Sequence, residues 1–199
     1  ASAYGITTGQ YNTSIGINNL YNNNTSNNTA VGYSALGWSS GDANTAVGAM
    51  AAASNTSGAN NTAVGYNALT TNTTGTNLVA VGANALDANT SGNNSTAVGV
   101  SSLTANTTGD LNTACGRLAL AFNTTGDQNV ALGEGALEAN TTASFNTGIG
   151  TKALQANTTG TENVAIGYQA GDTQTTASYN TIVGSIAGQA LTTGGENTA

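Results

Sequence analysis

Apolar residues in this chain recur at fixed distances from a glycine that itself returns at a nearly constant interval. In residues 61–77, NTAVGYNALTTNTTGTN, the residues Thr, Ala and Val precede Gly65, and an alanine and a leucine follow it three and four residues later. We number positions from this glycine, so that Val64 is at −1 and Leu69 at +4. The alternation before the glycine predicts a short β-strand, and the Asn-Thr-Thr-Gly phrase at +7 to +10 predicts a turn.

The recurring glycine defines one repeat array. A repeat this short cannot bury its apolar residues alone, so successive repeats must stack. The sequence therefore predicts an all-β fold, a parallel β-solenoid (β-roll or β-helix) of about eleven coils, with residues 1–199 as a single array. The chain ends within another Asn-Thr-Ala phrase, and we interpret it as a segment of a longer protein. The repeat glycines are Gly16, Gly32, Gly48, Gly65, Gly82, Gly99, Gly116, Gly133, Gly150, Gly167 and Gly184.

Two columns of stacked residues are expected to form the core. Position −1 is apolar in every repeat and shares a strand face with the threonine or valine at −3, so we predict that this face points inward. Small alanines at −2 would then lie outside, where another chain can approach closely. The predicted −1 core residues are Val31, Val47, Val64, Val81, Val98, Cys115, Leu132, Ile149, Ile166 and Val183, and the +4 core residues are Leu69, Leu86, Leu103, Leu120, Leu137 and Leu154. Glycine replaces leucine at Gly171 and Gly188, where we expect a different local turn.

Asparagines occupy two further columns. Those at −4 are expected to form a hydrogen-bonded ladder between coils. Those at +7 open Asn-X-Ser/Thr sequons, and although turn chemistry alone accounts for them, they are candidates for glycosylation if they project from an edge of the rod. These candidates are Asn55, Asn72, Asn89, Asn106, Asn123, Asn140 and Asn157.

Composition restricts the chemistry of the chain. It has only 2 basic and 9 acidic residues, no histidine and a formal net charge of −7. Phosphate contacts require Lys or Arg, so nucleic acid is excluded as a partner, and no segment has the roughly 18 apolar residues that membrane insertion requires. With one cysteine, Cys115, in an apolar column, we predict no enzyme activity, no catalytic residue and no metal or cofactor. Asp110 and Asp127 stack at +11 and are interpreted as a solvated edge, with weak Ca²⁺ bridging as the alternative.

The energetics of one coil favour association. Four apolar side chains per coil, one of them alanine, are too few to offset the conformational entropy of about 17 ordered residues. We therefore expect several chains to associate along the rod, with a homotrimer as the preferred arrangement.

The repeated phrase resembles that of a known class of fibrous proteins. Residues 163–171, NVAIGYQAG, and the recurrent NTAVGY are similar to the head repeats of trimeric autotransporter adhesins and to the repeat shafts of phage tail-fibre proteins that end in a self-cleaving chaperone domain. The resemblance covers residues 12–199 and implies a trimer of parallel β-rolls, secreted or carried by a virion, that extends and contacts a surface. The adhesin coil is shorter than the coil of this chain and more often has valine at −3, so coil shape and handedness do not carry over.

The expected function is a structural or adhesive shaft of an extracellular or virion fibre. Its expected partner is itself, in a homotrimer or filament, with a cell-surface glycan or protein receptor as a further candidate. One alternative is a self-polymerising or glycosylated extracellular filament subunit. Another is an ice-binding solenoid, which has threonine columns, but here the −3 threonines are predicted to face inward. Trp38 lies outside the columns, in a repeat with a shortened turn, and is interpreted as a local packing plug.

Overall fold

The computed structural model describes residues 9–21 and 24–199, and within these ranges the chain forms eleven short strands and no helix. All the strands belong to one parallel sheet, in which their order follows the sequence. The predicted all-β parallel solenoid, with one coil for each glycine repeat, is therefore confirmed. The strands are β1 (Thr13–Ile17), β2 (Thr29–Tyr33), β3 (Thr45–Val47), β4 (Thr62–Val64), β5 (Val79–Val81), β6 (Thr96–Val98), β7 (Thr113–Cys115), β8 (Val130–Leu132), β9 (Thr147–Ile149), β10 (Val164–Ile166) and β11 (Thr181–Val183).

Equivalent positions of neighbouring coils stack directly on one another. Val64 of β4 pairs with Val81 of β5, one period later. The backbone hydrogen bonds continue outside the strands: the N–H of Leu69 donates to the carbonyl of Ala85 at 2.9 Å, and that of Thr73 to the carbonyl of Thr90 at 2.9 Å. Each coil thus aligns the next around much of its circumference, which is why the period is so strict.

The repeat glycine is required by two independent constraints. Gly65 has a φ of 138°, a backbone conformation that L side chains rarely adopt. A Cβ atom at this position would also lie only 2.6 Å from the carbonyl oxygen of Gly82 in the next coil. The chain therefore bends at this point, and adjacent coils approach too closely for any side chain.

Small residues and leucine fill the interior. Ala63 at −2, Ala68 at +3 and Leu69 at +4 are completely buried, and the same holds for their equivalents in most coils. Leu69 has a φ of 56°, so a left-handed turn carries this side chain into the core. The predicted +4 core residues are all completely buried: Leu69, Leu86, Leu103, Leu120, Leu137 and Leu154.

The predicted burial of position −1 is wrong. In the three-residue strands the residue at −2, alanine in most of them, faces inward, so −3 and −1 face outward; Val98 is 36% exposed and Ile166 is 40% exposed. The interior of the coil is thin, and opposite the leucine column only a small side chain fits, so alanine takes the inner position. None of the ten predicted −1 core residues is buried: Val31, Val47, Val64, Val81, Val98, Cys115, Leu132, Ile149, Ile166 and Val183.

The expected change of turn at Gly171 and Gly188 is also wrong. Their φ angles, 61° and 70°, match the left-handed conformation of the leucines that they replace. The missing volume is supplied instead by Ile182, which stands at −2 where most coils have alanine and is completely buried. A Cβ on Gly171 would lie 2.8 Å from Cδ1 of Ile182, so the isoleucine occupies the space that a leucine would need.

Candidate functional site

The outward side of the sheet is a regular, uncharged array, which we call the sheet face and define as the side chains at −3 and −1 of β2 to β11. Position −3 is threonine in seven of these strands and valine in three, and position −1 is always apolar. Neighbouring coils repeat each side chain about every 4.8 Å, and the two columns lie about 7 Å apart along each strand. The sheet face therefore presents a two-dimensional lattice of hydroxyl and methyl groups.

The −3 threonines of the sheet face have unused hydrogen-bonding capacity. In the described part of the chain the hydroxyl groups of Thr62, Thr96 and Thr113 have no hydrogen-bond partner. The hydroxyl of Thr107, on another side of the coil, instead donates to the carbonyl of Thr124 at 3.0 Å. The sheet-face hydroxyls are therefore available to water or to another molecule.

Several exposed aromatic residues lie on the two flanks of the −1 column. At +1, Tyr66 and Tyr168 are exposed, and at −5 so are Phe145 and Tyr179. Cys115, in the middle of the −1 column, is exposed as well. The flanks are not uniformly apolar, since Arg117 and Glu134 stand at +1 and Glu162 at −5 in other coils. The continuous apolar element is therefore the −1 column itself, and such a column marks an interaction site more often than isolated exposed residues do.

The predicted glycosylation sites lie in the core, not at an edge. Asn106 is completely buried; its Nδ2 donates to Oδ1 of Asn89 and to the carbonyl of Gly109, both at 3.0 Å. Its Oδ1 accepts from Nδ2 of Asn123 at 2.9 Å. A glycan on such an amide would have to pass through the interior, so the expectation is wrong for these asparagines. The residues concerned are Asn55, Asn72, Asn89, Asn106, Asn123, Asn140 and Asn157.

The asparagines at −4 form the second internal ladder that the sequence predicts. The backbone N–H of Asn129 donates to Oδ1 of Asn112 at 2.9 Å, and Nδ2 of Asn129 crosses the coil to the carbonyl of Ala143 at 2.8 Å. The +7 ladder reaches the same carbonyl, since Nδ2 of Asn140 donates to it at 3.0 Å. The two ladders therefore converge on the turn and hold it to the strand.

The stacked carboxylates at +11 bind backbone amides. The N–H of Asp110 donates to Oδ1 of Asp127 at 2.7 Å, and the N–H of Asn93 donates to Oδ1 of Asp110 at 2.6 Å. These carboxylates hold one coil to the next. Among the described residues no three His, Cys, Asp or Glu side chains are grouped in a way that could hold a metal ion.

Trp38 is not a packing plug, because 64% of its surface is exposed. Its ring makes an edge-to-face contact with that of Tyr21, with the centroids 5.1 Å apart. The only ion pair of the described residues joins Arg117 to Glu134 at 2.8 Å, and both side chains are more than half exposed. An exposed pair of this kind contributes little to stability.

Comparisons with known protein families, with curated proteins and with solved structures found no match to this chain. Within residues 9–21 and 24–199, no helix has the length and hydrophobicity needed to cross a bilayer. The features that bear on function are therefore the chain's own, above all the sheet face and the surroundings of Trp38.

Proposed function

We propose that the chain is a structural shaft of an extracellular or virion fibre, which associates with copies of itself and serves attachment to a surface, without catalysis. The observation that carries this proposal is the outward-facing −1 column, which is apolar in every coil of the sheet face and exposed at six of its ten positions. Isolated exposed apolar residues are ordinary, but an unbroken column is not. The threonines at −3 show that a polar residue is tolerated at an outward strand position, so the uniform apolarity at −1 favours a partner.

A second copy of the chain is the partner that fits this surface best. Its own coils repeat at about 4.8 Å, so contacts made by one coil can be made by all. Neither column of the sheet face carries a charge, so association there avoids juxtaposing the acidic groups that give the chain its net charge of −7. Three copies around a common axis is the arrangement that we favour.

The area of the sheet face shows how much of the rod must take part. A strip about 10 Å wide over ten coils of about 4.8 Å covers roughly 500 Å², less than the roughly 800 Å² per partner of a stable interface. A strip twice as wide takes in Tyr66 and Tyr168 on one side and Phe145 and Tyr179 on the other, and covers roughly 1,000 Å². It also includes the charged residues Arg117, Glu134 and Glu162. The proposed contact therefore includes the flanking aromatic residues.

Light scattering on the native protein tests the proposal, with Cys115 as an internal reporter. We expect a mass of three chains and a thiol that reacts with Ellman's reagent only after the assembly is dissociated. Val98→Asp, one coil away, should give a folded monomer with a reactive thiol. Thr74→Asp, at an exposed turn position, is the matched control and should leave the mass unchanged. A native monomer with a freely reactive Cys115 would contradict association through this face.

One observation favours a second candidate, the binding of ice. The −3 threonines face outward, with free hydroxyls beside the methyl groups of the −1 column, so the expected inward orientation no longer counts against it. Such a lattice can order water in register with a crystal surface. Thermal hysteresis of the native protein is the test: activity that Thr113→Lys abolishes and Thr108→Lys retains would support it. Because one face cannot serve both roles, a trimer with a protected Cys115 would exclude ice binding there.

A further inference from the structure

The first two coils are shorter than the later ones. The first two steps of the repeat glycine, from Gly16 to Gly32 and on to Gly48, are each one residue shorter than the later steps. In the second coil, Ser39 takes the place of the buried +7 asparagine, and Nδ2 of Asn55 in the next coil donates to its Oγ at 3.1 Å. We refer to the junction between this short coil and the first full-length coil as the step.

Trp38 lies in the short second coil, directly before Ser39. It is the only tryptophan in the chain, and its edge-to-face contact with Tyr21, at an interplanar angle of 65°, fixes it against the first coil. Concave surface lies on both sides of the aromatic pair, with volumes of about 250 Å³ and 220 Å³. The first concavity is lined by Asn18, Tyr21, Ser34, Gly37 and Trp38, and the second by Tyr21, Trp38, Ser39, Ser40 and Thr56.

The lining combines aromatic surface with neutral polar groups. None of the described residues that line the two concavities carries a charged side chain. Within the described residues, the side-chain amide of Asn18 and the hydroxyl of Ser34 have no hydrogen-bond partner in the protein. The hydroxyl of Ser40 donates to the carbonyl of Thr56, which holds the step together. An exposed ring beside two unpaired neutral polar groups is suited to a ligand that is apolar on one face and hydroxylated at its rim.

We propose that this cleft, defined by Asn18, Tyr21, Ser34 and Trp38, binds a neutral glycan. The C–H hydrogens on one face of a sugar ring are partially positive and pack against the negative face of an aromatic ring. The sugar hydroxyls can bond to Asn18 and Ser34, while the net charge of −7 disfavours anionic sugars. Each concavity is smaller than the roughly 300–1,000 Å³ typical of sites for drug-sized ligands, so each accommodates about one sugar ring. The ligand is therefore two adjacent units of a chain that crosses Trp38.

This inference gives the attachment part of the proposed function a ligand class and rests on that part alone. Because Trp38 is the only tryptophan, its fluorescence reports on the cleft directly. We would titrate the native protein with maltotriose, cellotriose, mannotriose and triacetylchitotriose. We expect a saturable change of Trp38 emission with at least one of them, with a dissociation constant in the millimolar range, as befits a contact of two rings.

Variants are compared by ligand-observed NMR, which does not need the fluorophore. Trp38→Ala should weaken binding at least tenfold, and Trp38→Tyr should restore part of the loss because it keeps an aromatic face. Phe122→Ala is the matched control: Phe122 is an exposed aromatic at the same +6 position of a full-length coil and should not affect binding. Asn18→Ala and Ser34→Ala should each weaken binding several-fold. Both positions have a left-handed backbone, with φ of 56° and 53°, so the melting temperature of each variant is measured alongside to separate lost binding from lost stability.

Emission that stays unchanged with all four sugars would overturn the proposal, and so would binding that Trp38→Ala leaves intact. Failure here is distinguishable from failure of the shaft proposal. The mass of the assembly and the reactivity of Cys115 are measured without sugar, and neither readout uses the cleft residues Asn18, Tyr21, Ser34 and Trp38. A trimer without glycan binding would retain the shaft and remove this cleft, whereas a monomer that binds glycan would do the reverse.

Discussion

Threonine forms two stacked columns in this molecule, and its hydroxyl groups bond differently in each. Thr96 on the sheet face and Thr107 at the turn are both half-buried, and both stack on equivalents in the neighbouring coils. The hydroxyl of Thr107 donates to the next coil, whereas that of Thr96 has no partner among the described residues. The turn thus satisfies its hydrogen bonds within the chain, and the sheet face leaves them for another molecule. Stability and recognition are therefore assigned to different sides of the same coil.

The largest expected effect separates the inside of a strand from its outside. Ala97 is completely buried and its neighbour Val98 is exposed. Ala97→Asp places an unpaired carboxylate in the core and should cost about 3–5 kcal/mol, enough to melt the coil and its neighbours. Val98→Asp should leave the circular dichroism and the melting temperature of the dissociated chain close to those of the parent. Equal destabilisation by both substitutions would restore the inward assignment of position −1.

The next effect tests the buried ladder at the turn. Asn106→Ala removes two donated hydrogen bonds and one accepted bond, and leaves Oδ1 of Asn89 without the donor that Asn106 provides. We expect a loss of about 2–3 kcal/mol, or roughly 5–10 °C in melting temperature for a chain of this size. Thr108→Ala, at an exposed position of the same turn, should be nearly silent. If Asn106→Ala and Thr108→Ala had the same melting temperature, the ladder would not contribute to stability.

A smaller effect compares the two threonine columns directly. Thr107→Val removes a hydroxyl that bonds to the carbonyl of Thr124, but backbone amides still satisfy that carbonyl. The expected cost is therefore only about 0.5–1 kcal/mol. Thr96→Val removes a hydroxyl with no partner and should leave thermal stability unchanged or slightly raised, since valine suits a strand well. A larger loss of thermal stability for Thr96→Val than for Thr107→Val would mean that the sheet-face hydroxyls bond within the chain.

The smallest expected effect depends on pH. Burial raises the pKa of the Asp87 carboxyl above its usual value, so the folded state retains a proton that the unfolded state has already lost. Stability from this group should fall as pH rises through the window between the usual and the raised pKa. Asp87→Asn should therefore melt slightly higher than the parent at pH 7 and at the same temperature at pH 3. A difference that persists at pH 3 would have another cause.

The sequence predicts the fold because period and backbone chemistry agree. The glycine at each bend, the three-residue alternation and the Asn-Thr-Thr-Gly turn all indicate a parallel stack, and Leu69 is inside as its column predicts. Which residues of the strand point into the core was harder to predict. The size and apolarity of Val64 favour an inward side chain, whereas the thin interior accepts only Ala63. The space inside the coil, rather than the hydrophobicity of the side chain, decides which residue points inward here.

The candidate sites were less predictable than the fold. An asparagine such as Asn72 suits an exposed turn and a buried ladder equally well, so the sequon alone could not show that it is completely buried. Trp38 stood out only as a residue outside the columns, and the signal that locates the cleft is the difference in length between the early coils and the later ones. Its pairing with Tyr21 depends on how neighbouring coils stack, which spacing along the chain does not specify.

The replacement of leucine by Ile182 bears on how such arrays lengthen by gene duplication. Ile182 fills the space beside Gly171, which lies in the same repeat, and beside Gly188, which lies beyond the repeat glycine Gly184. A duplicated segment that starts just after Gly167 carries Gly171 and Ile182 together and keeps the core full. A duplicated segment that starts within β10 and ends before β11 copies Gly171 without Ile182 and leaves a cavity in the core. Recombination among such repeats is thus constrained in where it can cut, because the core residues of these repeats are not interchangeable.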